Sequence, residues 1–98
     1  MYIEPWSDIN EYPEGHQEAL ACELAKELPE SHILYGLASK VLAKREDQDE
    51  ILVSNDLGYF TIHLTWSGKA EISPFPKSEK FETMEMLKIK LASDSEFY

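Results

Sequence analysis

The segment "ILVSNDLGYFTIHLTW", residues 51 to 66, constrains this chain more than any other. Two apolar runs flank Asn55-Asp56-Leu57-Gly58, whose Asn, Asp and Gly supply the backbone freedom of a tight hairpin turn. The second run alternates. Phe60, Ile62, Leu64 and Trp66 fall on one side of a strand, and Tyr59, Thr61, His63 and Thr65 on the other. The first side is the expected core. The hairpin demands a sheet, and the rest of the chain must cover its apolar side.

Upstream, "HILYGLASKVLAKRE", residues 32 to 46, is rich in Ile, Val and Tyr and fits a helical period poorly. It reads as a long strand whose odd positions, Ile33, Tyr35, Leu37, Val41 and Ala43, face the core. The run "EDQDE", residues 46 to 50, is a polar turn into the short strand "ILVSN". Before these strands, Pro13, the early acids Glu14 and Glu18, and Leu20, Leu24 and Leu28 beside Ala21 and Ala25 describe an amphipathic helix. Gly15 weakens its first turn and moves the start a few residues later, and Pro29 stops it. The first twelve residues read as an arm whose Tyr2, Ile3, Trp6 and Ile9 pack back on the body.

After the alternating strand come Ile72 and "SPFPK", whose prolines exclude both a helix and a central strand. A last helix begins at Ser78 or, more cleanly, at Thr83, which can cap it with Glu85 in the first turn. Met84, Leu87 and Leu91 form its buried stripe, and residues 93–98 a frayed tail. The expectation is a single α+β domain over residues 1–98, with an arm over 1–12 and a body over 13–92. Its antiparallel sheet has three to four strands, with two helices on one face, in the order α-β-β-β-α. The sheet face carrying Tyr59, Thr61 and His63 is then left without a cover, as antiparallel sheets tolerate.

Charge narrows the partners. Nineteen acidic residues stand against nine basic ones, a formal net charge of −10 at pH 7. Such a surface disfavours nucleic acid and anionic membrane, since phosphate contacts need Lys or Arg, and it favours a basic protein. Ninety-eight residues with 43% hydrophobic content suffice for one core. The lone Cys22 cannot form an internal disulfide and reads as a small buried residue of the first helix. No stretch approaches the roughly 20 apolar residues of a membrane span. The start lacks the basic and apolar run of a secretory signal, so the expected location is the cytoplasm.

His63 is the obvious residue for proton transfer, but Thr61 and Thr65 beside it lack the carboxylate support of an activated nucleophile. His16, His32 and His63 show none of the close spacings of a metal site, and the four glycines are scattered. Glu46, Asp47, Asp49 and Glu50 lack the glycine and distant glutamate of a calcium loop. The expectation is therefore no catalytic residue, no metal and no cofactor. Acids are concentrated instead. Glu4, Asp8, Glu11, Glu14, Glu18, Glu23, Glu27 and Glu30 meet only Lys26 in the first thirty residues, and residues 46–50 add four more acids. A polarised field of this kind speeds encounter with a basic partner, which exposed aromatics can then anchor.

The succession "HILYG", "VLAKRED", "DEIL", "HLTWSGK" and a Pro-flanked aromatic before a last helix resembles a family of acidic bacterial proteins of about one hundred residues. The resemblance runs over residues 32 to 91, with His63 to Gly68 as its core and Lys44-Arg45 where the family tends to have two arginines. The size and acidity are similar to those of immunity proteins of contact-dependent growth inhibition, which bind and neutralise a toxin domain. That resemblance implies a non-enzymatic, cytoplasmic inhibitor, monomeric when free, whose partner is the C-terminal domain of a basic toxin, a nuclease with its cleft covered. Its contact residues would be Glu46, Asp47, Asp49 and Glu50, with Tyr59, Thr61 and His63 as the adjoining sheet face. The alternative is a housekeeping small-ligand binder or a small hydrolase using His63. Gene neighbourhood discriminates the two, as does a His63→Ala variant, which abolishes a hydrolase and only weakens a binder.

Overall fold

A computed structural model describes residues 2, 4–66, 68–70 and 76–96. Their elements are β1 (Trp6–Asp8), a 3-10 turn (Ile9–Glu11), α1 (His16–Glu27), β2 (Lys40–Arg45), β3 (Glu50–Asn55), β4 (Gly58–His63), β5 (Ser78–Phe81) and α2 (Met84–Glu96). The class is α+β, with one five-stranded antiparallel sheet in the order β1-β2-β3-β4-β5. The hairpin at the centre of the sheet forms as its sequence demands: Asn55 pairs with Gly58, Val53 with Phe60 and Ile51 with Ile62.

The two helices lie on opposite faces of this sheet, which corrects the expectation of one shared face. Leu20, Leu24 and Leu28 of α1 pack with Val41, Ile51, Val53, Phe60, Ile62 and Leu64. Leu87 and Leu91 of α2 join a separate cluster with Trp6, Ala43, Leu52 and Phe81. The reason is visible in β3. Ile51, Leu52 and Val53 are consecutive and all fully buried, the pattern of a central strand covered on both sides. A helix on each face satisfies both sets, and Thr61, expected to face solvent, is only 3% exposed.

A register shift between Val41 and Ala43 in β2 sends these two residues to different clusters although they stand two apart. The strand expected from residue 32 begins only at Lys40. Residues 32–37 form turns instead, with Tyr35 N–H donating to the His32 carbonyl and Leu37 N–H to the Leu34 carbonyl. Leu34 is buried there while Ile33 and Tyr35, expected in the core, are 60% and 50% exposed. The buried His32 ring fastens the turn: its Nδ1 accepts from Leu34 N–H at 3.1 Å and its Nε2 lies 2.9 Å from the Pro76 carbonyl oxygen.

Gly15, at φ 90°, precedes α1, which starts at His16 and ends before Pro29, as the punctuation requires. Thr83 caps α2 through its hydroxyl, which accepts from Met86 N–H at 3.2 Å. Met84 is exposed rather than part of the stripe, and α2 runs to Glu96 where a frayed tail was expected from residue 93. Cys22 is exposed on the outer side of α1, not buried. The arm does pack back, as β1, with Trp6 1% exposed. Expectations for Ile3, Ile72 and residues 73–75 fall outside the described residues, as do those for residues 97–98. No helix among the described residues is long and apolar enough to cross a membrane.

Candidate protein-binding site

The acids of the β2–β3 turn separate into two groups. Glu46, Asp47 and Asp49 are exposed, whereas Glu50 opens β3 with its side chain 16% exposed. Asp47 is held by Arg45 through Nε at 2.6 Å and Nη2 at 3.2 Å, a bidentate pair that keeps the Asp47 carboxyl below the usual carboxylate range. Glu50 faces inward. Its Oε1 lies 3.6 Å from Arg45 Nη1 and 3.8 Å from Lys90 Nζ. Asp94 of α2 completes this network, accepting from Lys90 Nζ at 2.9 Å and from Trp6 Nε1 at 2.8 Å, with Arg45 Nη1 3.4 Å away. Glu50 thus fastens α2 to the sheet, and its charge is largely spent inside the protein.

The adjoining residues on β4 are covered by degrees. Tyr59 is half-buried against the cluster under α2, Thr61 is buried and His63 is exposed at the strand end. The face expected to be bare therefore carries α2, because Leu52 on β3 and Tyr59 on β4 need an apolar cover. A shallow polar cavity of about 270 Å³ remains beside it, lined by Glu50, Thr61, His63, Lys77, Ser78 and Glu79.

At this end of the sheet the backbone draws together segments far apart in sequence. Glu46 N–H donates to the Pro5 carbonyl at 2.7 Å, which brings the exposed Glu4 beside the hairpin tip. Leu64 N–H donates to the Asp49 carbonyl at 2.7 Å, which brings the segment after β4 to the tip's other side. That segment leaves the sheet with Trp66 in the left-handed region at φ 59°, so its indole, expected in the core, is 47% exposed. Glu4, Glu46, Asp47 and Asp49 thus share one end of the molecule with an exposed tryptophan. Lys69 and Lys77 also lie on segments at this end, each engaged in an interaction of its own.

Two glutamates of α1 hold the tryptophan segment. Glu27 is fully buried, with Oε1 accepting from Thr65 N–H at 2.8 Å and Oε2 from Trp66 N–H at 2.9 Å. Glu23 Oε2 accepts from Gly68 N–H at 3.0 Å. Burial, followed by the neighbouring Glu23, pushes the Glu27 carboxyl above the usual range, while a hydrogen bond from Glu27 holds Glu23 below it. The hydrogen bond between the two carboxyls joins them in one titrating unit. Both stand on the apolar side of α1 with Leu20, Leu24 and Leu28, at a four-residue spacing that puts two like charges side by side. That spacing on the apolar side is the signal in the sequence that sets Glu23 and Glu27 apart from the surface acids.

The histidines are dispersed among separate elements: His16 stacks on Tyr12 with ring centroids 4.6 Å apart, His32 is buried in its turn, and His63 ends β4. Among the described residues, no three His, Cys, Asp or Glu side chains are grouped to hold a metal. No family model, no curated protein and no solved structure matches the chain.

Proposed function

We propose that this protein is a binding protein whose partner is a basic protein domain, and that it acts in the manner of an immunity protein, neutralising a toxin domain by occupying its active-site cleft. The observation that carries the reading is the convergence of exposed Glu4, Glu46, Asp47 and Asp49 with the exposed Trp66 at one end of the sheet. Acidic rim residues raise the rate of encounter with a basic surface, and a large aromatic at the centre of a contact slows its release. Asp47 contributes least to this field because Arg45 neutralises it. His63 stands at the margin, and Tyr59 and Thr61 support the surface from beneath α2 rather than offering themselves to a partner.

The test is co-expression with the C-terminal domain encoded by the neighbouring upstream gene, followed by association kinetics on the purified pair. Glu4→Gln, Glu46→Gln and Asp49→Gln together should lower the association rate about 10- to 100-fold at low salt and flatten its salt dependence. Trp66→Ala should act on the dissociation rate instead. Association within about twofold of the unaltered protein for the triple variant would remove this surface from the reading.

A further inference from the structure

A single exposed apolar side chain is ordinary on a protein surface, whereas several brought to one corner mark a contact. Ile33 and Tyr35 are exposed in the turns that follow α1, and Trp66 is exposed in the segment that follows β4. The two segments meet at the end of α1. Trp66 N–H donates to Glu27, the last residue of that helix, and His32 stands five residues further along the chain. On the sheet side, His32 Nε2 lies 2.9 Å from the Pro76 carbonyl oxygen, and the next carbonyl, that of Lys77, accepts from His63 N–H at the end of β4 at 2.9 Å. Three residues beyond His63 the chain reaches Trp66.

The backbone after α1 is shaped so that Ile33 and Tyr35 project. Tyr35 N–H donates to the His32 carbonyl at 3.0 Å and Leu37 N–H to the Leu34 carbonyl at 3.1 Å, so one tight turn follows another. Gly36, at φ 77°, supplies the positive φ that a type II turn needs at its third residue. Ile33 and Tyr35 take the second position of their turns, at the corners. Leu34 between them is fully buried with the leucines of α1, and the buried His32 ring fixes the backbone by accepting from Leu34 N–H at 3.1 Å. Burial of Leu34 sends its neighbours outward, but it does not require them to be apolar: polar side chains at these corners would serve the fold as well. An isoleucine and a tyrosine on an ordered backbone lose little freedom on contact, which is what a binding anchor requires.

We propose that Ile33 and Tyr35 are the apolar anchor of the partner surface and enter an apolar recess on a basic protein domain. This rests on the proposed function and names what the surface demands of its partner. Charge selects the occupant. Exposed Glu30 lies between α1 and the turns, and beyond Trp66 the bond from Leu64 N–H to the Asp49 carbonyl leads to exposed Glu46 and Asp49. Lys26 in the last turn of α1 is the counter-charge at this corner, while Lys69 and Lys77 are each already engaged. The apolar corner is thus flanked by carboxylates on two sides, on a chain of net charge −10. That field repels a second copy of the chain and draws a domain whose recess is bordered by Lys or Arg.

The experiment uses the complex with the C-terminal domain encoded by the neighbouring upstream gene and measures both rate constants for Ile33→Ala and Tyr35→Ala. Ile89→Ala, on the exposed apolar side of α2, serves as the control of location. Each turn variant should raise the dissociation rate at least about tenfold, at low and high salt alike, with association within about twofold of the unaltered protein. Because both side chains are exposed, the melting temperature of the free protein should stay within about 4 °C. Ile89→Ala should change neither rate. Dissociation within about twofold for both turn variants, in a complex that does form, would overturn this inference and leave the proposed function standing, as would a loss confined to Ile89→Ala. A larger fall in melting temperature would show that the two side chains serve the fold, and would overturn it equally. A domain that fails to bind the unaltered protein would overturn the proposed function and this inference with it.

Discussion

Replacing Asp94 by alanine tests how the C-terminal helix is tied to a strand 88 positions earlier in the chain. Asp94 Oδ2 accepts the indole N–H of Trp6 at 2.8 Å, and Trp6 is 1% exposed, so truncation leaves a buried donor without its partner. Such a group costs roughly 1 to 3 kcal/mol. The same change removes the hydrogen bond from Lys90 at 2.9 Å and the approach of Arg45 at 3.4 Å. Both cations keep Glu50 nearby and Lys90 is 20% exposed, so this part is discounted to about 1 kcal/mol. The total is about 2 to 4 kcal/mol, which for a domain of this size lowers the melting temperature by at least about 8 °C. Asp94→Asn keeps an acceptor for Trp6 but loses the charge, and roughly half the effect is expected. The assay is denaturant and thermal unfolding of the single variants, with a double-mutant cycle through Trp6→Phe. A loss below about 0.5 kcal/mol for Asp94→Ala, or no coupling in the cycle, would show that α2 is held by apolar packing alone.

Leu52 is fully buried under Leu87 and Leu91, so Leu52→Ala should cost about 2 to 5 kcal/mol in urea unfolding, whereas a solvated second sheet face would reduce the loss to below about 1 kcal/mol. Gly58 combines φ 130° with a backbone in the way: an added Cβ would lie 3.0 Å from the Phe81 carbonyl oxygen. Gly58→Ala should therefore destabilise by about 1 to 3 kcal/mol and shift the amide resonances of β5 more than those of β2.

The hairpin over residues 51–63 could be read from the chain because its pairing is local. Alternation, an Asn/Gly turn and register all act within a few residues, so Asn55 meets Gly58 where the sequence places it. The stripe and punctuation of α1 and the Thr83 cap of α2 are local in the same sense. The acids of the hairpin tip were visible as candidates, but not the division of labour among them. Glu50 turns inward toward Lys90, which arrives on a helix forty residues later, and nothing between residues 46 and 50 encodes that arrival.

The edge strands show the same limit. Trp6–Asp8 and Ser78–Phe81 are too short to carry a period of their own, and each becomes a strand because β2 or β4 offers it a ladder. The face chosen by α2 had one local clue, the uninterrupted Ile51-Leu52-Val53, but an apolar run cannot say which helix covers which side. Glu23 and Glu27 are the clearest case. By composition they belong to the acidic surface, and as carboxylates they resist burial. They enter the interior because the folded chain brings the N–H groups of Thr65, Trp66 and Gly68 across some forty residues to meet them. Periodicity and turn chemistry act within a segment and so are written in it, whereas the satisfaction of a buried charge depends on groups that only the assembled fold brings within reach.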